Sequence, residues 1–153
     1  MLLLPNLIAF AETHVAERPN LEPNAIVTAE HDEAGKLYKD VVNAGSLCTL
    51  FVLIPSHDGN AEDEDNTQLK NNLSFIIMKK TDAKAGQQEK LNNFALCQLE
   101  ILALAQKIKG LVANFGVNCI FKDIDLNTIQ INPLPNYLGA NGYSMDFSTE
   151  TNF

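Results

Sequence analysis

The sequence predicts an α+β domain, a mainly antiparallel β-sheet packed against one long amphipathic helix, with a short N-terminal helix. Three observations carry that reading. Residues 87–109 hold no proline or glycine and are rich in Leu, Ala, Gln, Glu and Lys, which keep most of their rotamer freedom in a helix. From within that stretch onward, Phe94, Cys97, Ile101, Leu104, Ile108, Leu111 and Phe115 recur at alternating steps of three and four, which places them on one helical stripe. Residues 46–54 and 73–78 are apolar on both faces, the pattern of strands inside a covered sheet. A length of 153 residues suits one domain, residues 1–153, around a single core.

Residues 4–17 read as the N-terminal helix. Pro5 suits its first turn, Leu7, Ile8, Phe10, Ala11 and Val15 line one face, and Arg18-Pro19 ends it. This apolar start includes the small-x-small triplet Ala9-Phe10-Ala11, but no Lys or Arg precedes it and Pro5-Asn6 interrupts it. A helix is therefore expected rather than a cleaved signal, and no run approaches the length of a membrane span. Residues 20–24 form a linker. Residues 25–30 and 36–42 are expected to pair as a β-hairpin, with Gly35 in the turn.

Residues 46–54 and 73–78 are the two buried strands. Between them, residues 55–72 are expected to form a mobile acidic loop. Asp58, Glu62, Asp63, Glu64 and Asp65 crowd its middle, where no apolar residue is larger than alanine. In the long helix, Leu91, Ala95, Leu99, Leu102 and Ala105 widen the apolar stripe. Only a narrow strip around Gln88, Asn92, Gln106 and Lys109 is left for solvent, and Gly110 offers a stop. After the helix come a strand at 117–121, a polar bend at 123–125, and a strand at 128–131 that Pro133 and Pro135 confine to an edge. Asn141-Gly142 signals a hairpin turn. Tyr143, Met145 and Phe147 then alternate with Ser144, Asp146 and Ser148, a strand with one wet face, and residues 148–153 read as a loose tail.

The net charge of −8 repels phosphate backbones, and the densest basic cluster is only Lys79-Lys80 with Lys84, so neither nucleic acid nor membrane is an expected partner. Cys48, Cys97 and Cys119 are odd in number and lie in apolar segments, which reads as buried reduced thiols. His14, His31 and His57 sit in segments read as exposed or terminal. His31 and His57 are each followed by Asp, a pair that could support a metal or a general base, but no Cys or second His stands at ligand spacing. Asp58, Asn60, Glu62 and Glu64 alternate like the first ligands of an EF-hand loop. The pattern then fails at Asp63, where the turn needs glycine, and at Leu69, where a bidentate Glu belongs. No catalytic, cofactor-binding or metal-ligating residue is assigned, and no cofactor is expected.

The order of buried strand (73–78), Lys80-Thr81-Asp82 link, long helix rich in Gln, Glu and Leu, and short sheet through Pro133-Leu-Pro-Asn136 and Asn141-Gly-Tyr-Ser-Met-Asp-Phe147 is similar to small structural proteins of tailed phages and prophages. It resembles most the neck and tail-completion group, which includes tail-terminator-type proteins. The likeness covers residues 73–148; the first fifty residues and the acidic loop depart from it. The resemblance implies an α+β subunit without catalytic residues that forms homo-oligomeric rings and meets other virion proteins. It also implies residence in the cytoplasm of the producing cell and then in the virion. Independently, Phe10, Phe94, Phe115, Phe121, Phe147 and the long helix offer more apolar surface than one short sheet needs. The expected interface comprises Tyr143, Met145 and Phe147 on an exposed sheet edge and Asp63, Glu64 and Asp65 in the loop. Two other classes stay open: a small ligand- or metal-binding module or enzyme with a site near His31 or His57, and a host-side adaptor or immunity-type protein.

Overall fold

The computed structural model describes residues 3–29, 47–61, 67–114, 120–121, 124–137 and 139–152, and among these two α-helices and a sheet organise the fold. The elements are α1 (Leu4–Ala16), β1 (Ile26–Thr28), β2 (Thr49–Ala61), β3 (Thr67–Lys80), α2 (Gln87–Ala113), a 3₁₀ turn (Leu126–Thr128), β4 (Gln130–Tyr137) and β5 (Ala140–Asn152). Among the described residues the strands form one sheet in the order β1-β2-β3-β5-β4. Only β1 and β2 run parallel; the other neighbours are antiparallel. The fold class is α+β, as the sequence predicts.

Both helices cover the same face of the sheet. Alternate residues of the inner strands, Leu50, Val52, Leu73, Phe75, Ile77, Met145 and Phe147, form one buried cluster with Leu7, Phe10 and Val15 of α1 and Cys97, Ile101, Leu104 and Ile108 of α2. Phe10 meets Phe121 edge-on at 4.9 Å between ring centroids, and Phe75 stacks on Phe147 at 5.9 Å, arrangements that suit the quadrupoles of aromatic rings. The intervening residues Phe51, Leu53, Ile76 and Met78 bury on the opposite face with Ala140. This accounts for the two-sided apolarity of both runs.

Several expectations change. Residues 55–61 and 67–72 are not loop: β2 and β3 continue to pair there, from Ser56 opposite Asn72 to Ala61 opposite Thr67. Pro55 does not end β2 because it sits at a register shift between Leu53 and Ser56, where a bulge tolerates its missing N–H. Only residues 62–66 of the acidic stretch lie outside the described residues. The loose tail is likewise strand, since residues 148–152 of β5 pair with residues 72–68 of β3 and Ser148 and Thr149 are buried. Polarity signals exposure of side chains. It does not forbid backbone pairing, and here β3 is hydrogen-bonded on both sides.

β1 pairs with β2, Ile26 beside Phe51; its expected hairpin partner, residues 36–42, lies outside the described residues. α2 passes through Gly110 to Ala113, because packing of Ile108 and Val112 on the core outweighs the glycine's cost of about 1 kcal/mol. The hairpin turn between β4 and β5 falls at Gly139, whose φ of 79° is left-handed, and not at Asn141-Gly142. Gly142 lies inside β5, and a Cβ there would collide with the backbone carbonyl of Ile77. Pro133 and Pro135 do sit in a terminal strand of the sheet order, β4. Of residues 117–121, only Ile120 and Phe121 are described, and they form a turn.

Candidate functional site

The predicted interface residues on β5 do not form an edge. β5 lies between β3 and β4; it pairs with β3 along residues 140–152 and with β4 between residues 140 and 146. Met145 is 0% and Phe147 4% exposed, while half-buried Tyr143 stands edge-on to Phe94 at 6.0 Å. The difference follows from β4, which folds back through Gly139 and pairs along the side of β5, from residue 140 to residue 146, that the sequence alone presents as a free edge. Asp63, Glu64 and Asp65 lie outside the described residues, as do His31, Asp32, Glu33, Phe115 and Cys119. Phe10, Phe121 and Phe147 are not surplus surface, for they fill the chain's own core.

His57 is exposed on β2, and its Nδ1 lies 2.7 Å from Asn71 Oδ1. Asn71 in turn donates from Nδ2 to Thr149 Oγ1 at 3.0 Å. Asp58 cannot join it: successive strand residues point to opposite faces, and Asp58 accepts instead from Asn72 Nδ2 at 2.7 Å. The adjacent His57 and Asp58, which the sequence analysis left without an assigned role, are therefore split by the sheet. Among the described residues, no group of three His, Cys, Asp or Glu side chains converges, and no helix is long and apolar enough to cross a membrane.

A buried polar junction, which sequence reasoning missed, lies where α1 ends against α2. Glu100 has a fully buried side chain and accepts from Arg18 Nε at 2.8 Å, Arg18 Nη2 at 3.1 Å and Asn20 Nδ2 at 2.9 Å. Burial pushes its carboxyl up, but the hydrogen bonds from Arg18 and Asn20 outweigh this and hold it below the usual range. His14 is 2% exposed beside it, with neither ring nitrogen hydrogen-bonded among the described residues. Burial, together with the charges of Lys107 and Arg18, lowers its pKa to about 4 despite Glu100 and Glu17. A neutral imidazole and a paired carboxylate make this a structural clamp. The signal was present in the sequence: a Glu interrupting the apolar stripe of α2, and the chain's single arginine at the end of α1.

The second feature is a cleft of about 630 Å³ on the sheet face opposite the helices, whose polar lining includes Ser56, Lys70, Asn72, Ser74, Gln130 and Asp146. Ser74 Oγ is buried there without a partner among the described residues.

The third is the outer face of α2. Leu91, Leu99 and Leu102 are 50%, 63% and 42% exposed, where the sequence reading made them part of the buried stripe. From Leu91 to Gln106 every exposed position (Leu91, Asn92, Ala95, Gln98, Leu99, Leu102, Gln106) is uncharged. A mostly apolar groove of about 330 Å³, lined by Leu102, Ala105, Gln106, Leu126 and Ile129 with Lys109 at its border, continues this face toward β4. Depletion of charge around large apolar side chains is the composition of an interface core, and it stands out on a chain of net charge −8.

The chain matches no family model, no curated protein and no solved structure with which it was compared.

Proposed function

We propose that this chain is a non-enzymatic structural subunit that assembles with copies of itself and with other virion proteins, as neck and tail-completion proteins of tailed phages do. The observation that carries the reading is the uncharged, leucine-bearing outer face of α2. Leucines at that exposure cost solvation free energy that a partner's surface recovers, at roughly 25 cal/mol per Å² of apolar area covered. The absence of charge lets two acidic chains meet there without local repulsion. In this reading the protein is made in the cytoplasm and ends in the particle, and its partners are proteins.

Light scattering after size exclusion across a concentration series tests it. The mass should climb above the 16.8 kDa of one chain as concentration rises, and the Leu99→Lys/Leu102→Lys double variant should stay near it. A strict monomer that also fails to co-purify with the products of adjacent genes would overturn the proposal. The cleft, with a Ser74 hydroxyl that has no partner among the described residues, favours a second reading, a small-ligand-binding module; a monomer in which Asp146→Asn abolishes binding of a ligand would establish it.

A further inference from the structure

We propose that Cys48 and Cys97 are a redox pair that closes to a disulfide when the folded chain meets a peroxide, stapling the middle of α2 to the start of β2. The inference does not depend on assembly. The two thiols are free and fully buried, with Sγ atoms 3.7 Å apart. A bond of about 2.05 Å lies within reach of a small side-chain adjustment.

What surrounds the pair gives the staple its consequence. Cys48 is anchored to the segment after α1, donating from its N–H to Asn20 O at 2.9 Å and accepting from Glu22 N at 2.8 Å. Asn20 also donates to Glu100, one helical turn beyond Cys97. A single turn of α2 thus holds the same junction twice, through the Glu100 hydrogen bonds and through the sulfur contact. The first link is lost when acid protonates Glu100. A disulfide would make the second covalent and keep it when acid removes the first, and it would close a loop between positions 49 residues apart, a length at which cross-links restrict the unfolded chain strongly.

The chemistry balances with one peroxide. The hydrogen bond between the thiols favours the thiolate at Cys48, and that same bond together with burial pushes the Cys97 thiol up. The Cys48 sulfur attacks one peroxide oxygen, the O–O bond breaks, and the departing hydroxide takes up the proton released by the Cys48 thiol to become water. Cys97 Sγ then attacks the resulting sulfenic acid at sulfur. The S–O bond breaks, and the hydroxyl leaves with the Cys97 proton as a second water. Two thiols are oxidised to one disulfide while the peroxide is reduced to two waters. Because both sulfurs are buried, the peroxide enters through local opening, which makes the reaction slow.

The test uses the full chain and a Cys119→Ser form of it, each treated while folded with hydrogen peroxide, then denatured, alkylated with iodoacetamide and digested without reductant. The expected product is a cross-linked peptide pair joining Cys48 to Cys97, lighter by two hydrogens and separated by dithiothreitol. The oxidised chain should unfold at a higher urea concentration than the reduced chain, with the larger gain at acid pH. Alkylation of both cysteines after peroxide treatment would overturn the proposal. So would a cross-link of either thiol to Cys119 in place of the Cys48–Cys97 bond. An unchanged urea midpoint in the cross-linked chain would overturn the staple.

Discussion

His14 and Glu100 make the acid behaviour of this chain calculable in sign. His14 has a pKa near 6.5 when unfolded and about 4 when folded, so between those values the unfolded chain binds more protons and stability falls as pH drops. The shift corresponds to at most about 3 kcal/mol. Glu100, held low by Arg18 and Asn20, contributes stability that is present above the usual carboxylate range. That contribution disappears as pH falls through its folded value. Urea midpoints measured against pH should therefore decline in two stages, and His14→Leu should flatten the first while leaving the second. A wild-type curve that is flat from pH 6.5 to 4 would show that His14 is solvated or partnered. At neutral pH, Arg18→Ala should cost about 2–3 kcal/mol, because a buried carboxylate loses its charged donor. Adding Glu100→Leu should recover much of that cost.

The helix and the strands fail in different ways when single residues change. Leu104, fully buried between α2 and the sheet, should cost about 2–5 kcal/mol on truncation to Ala through transfer and cavity effects. Exposed Gln106, two residues on, should cost under about 0.5 kcal/mol. Equal losses at both sites would mean that α2 is rotated from the orientation described. In β5, Gly142→Ala should cost at least about 2 kcal/mol, since the added methyl meets backbone that cannot swing aside. Thr149→Pro should also weaken the chain, because Thr149 is buried and pairs with Asn71; read as part of a free tail, the same position would tolerate proline. Chemical denaturation of the variants separates these outcomes.

Assembly through the outer face of α2 carries its own salt dependence. An apolar, uncharged contact should hold or strengthen from low to molar sodium chloride, because screening acts only on charges. Association through the acidic residues around position 63 would change steeply instead. Sedimentation at several salt concentrations distinguishes the two. The Leu99→Lys/Leu102→Lys variant should keep the urea midpoint of the parent, since both side chains are exposed. Loss of assembly in that variant would then report on the interface and not on folding.

The α+β class, α1, the two-sided burial of the first parts of β2 and β3, the inward stripe of α2 and the terminal place of β4 were legible in the residues themselves. Periodicity, proline and apolar runs act locally, so each element carries its own signature. Pairing between distant segments is not written that way. Whether polar residues 55–61, 67–72 and 148–152 run free or join a ladder depends on neighbours remote in the chain, and the ladder decided it. The buried apolar arc of α2 was readable; its outer leucines were not, because the area a sheet can cover is settled only when the helix lies on it. Asn71, Arg18 and Asn20 acquired their roles in the same way, as partners that only the fold brings to His57 and Glu100. A sequence displays the chemistry of a side chain, and tertiary structure assigns its neighbour.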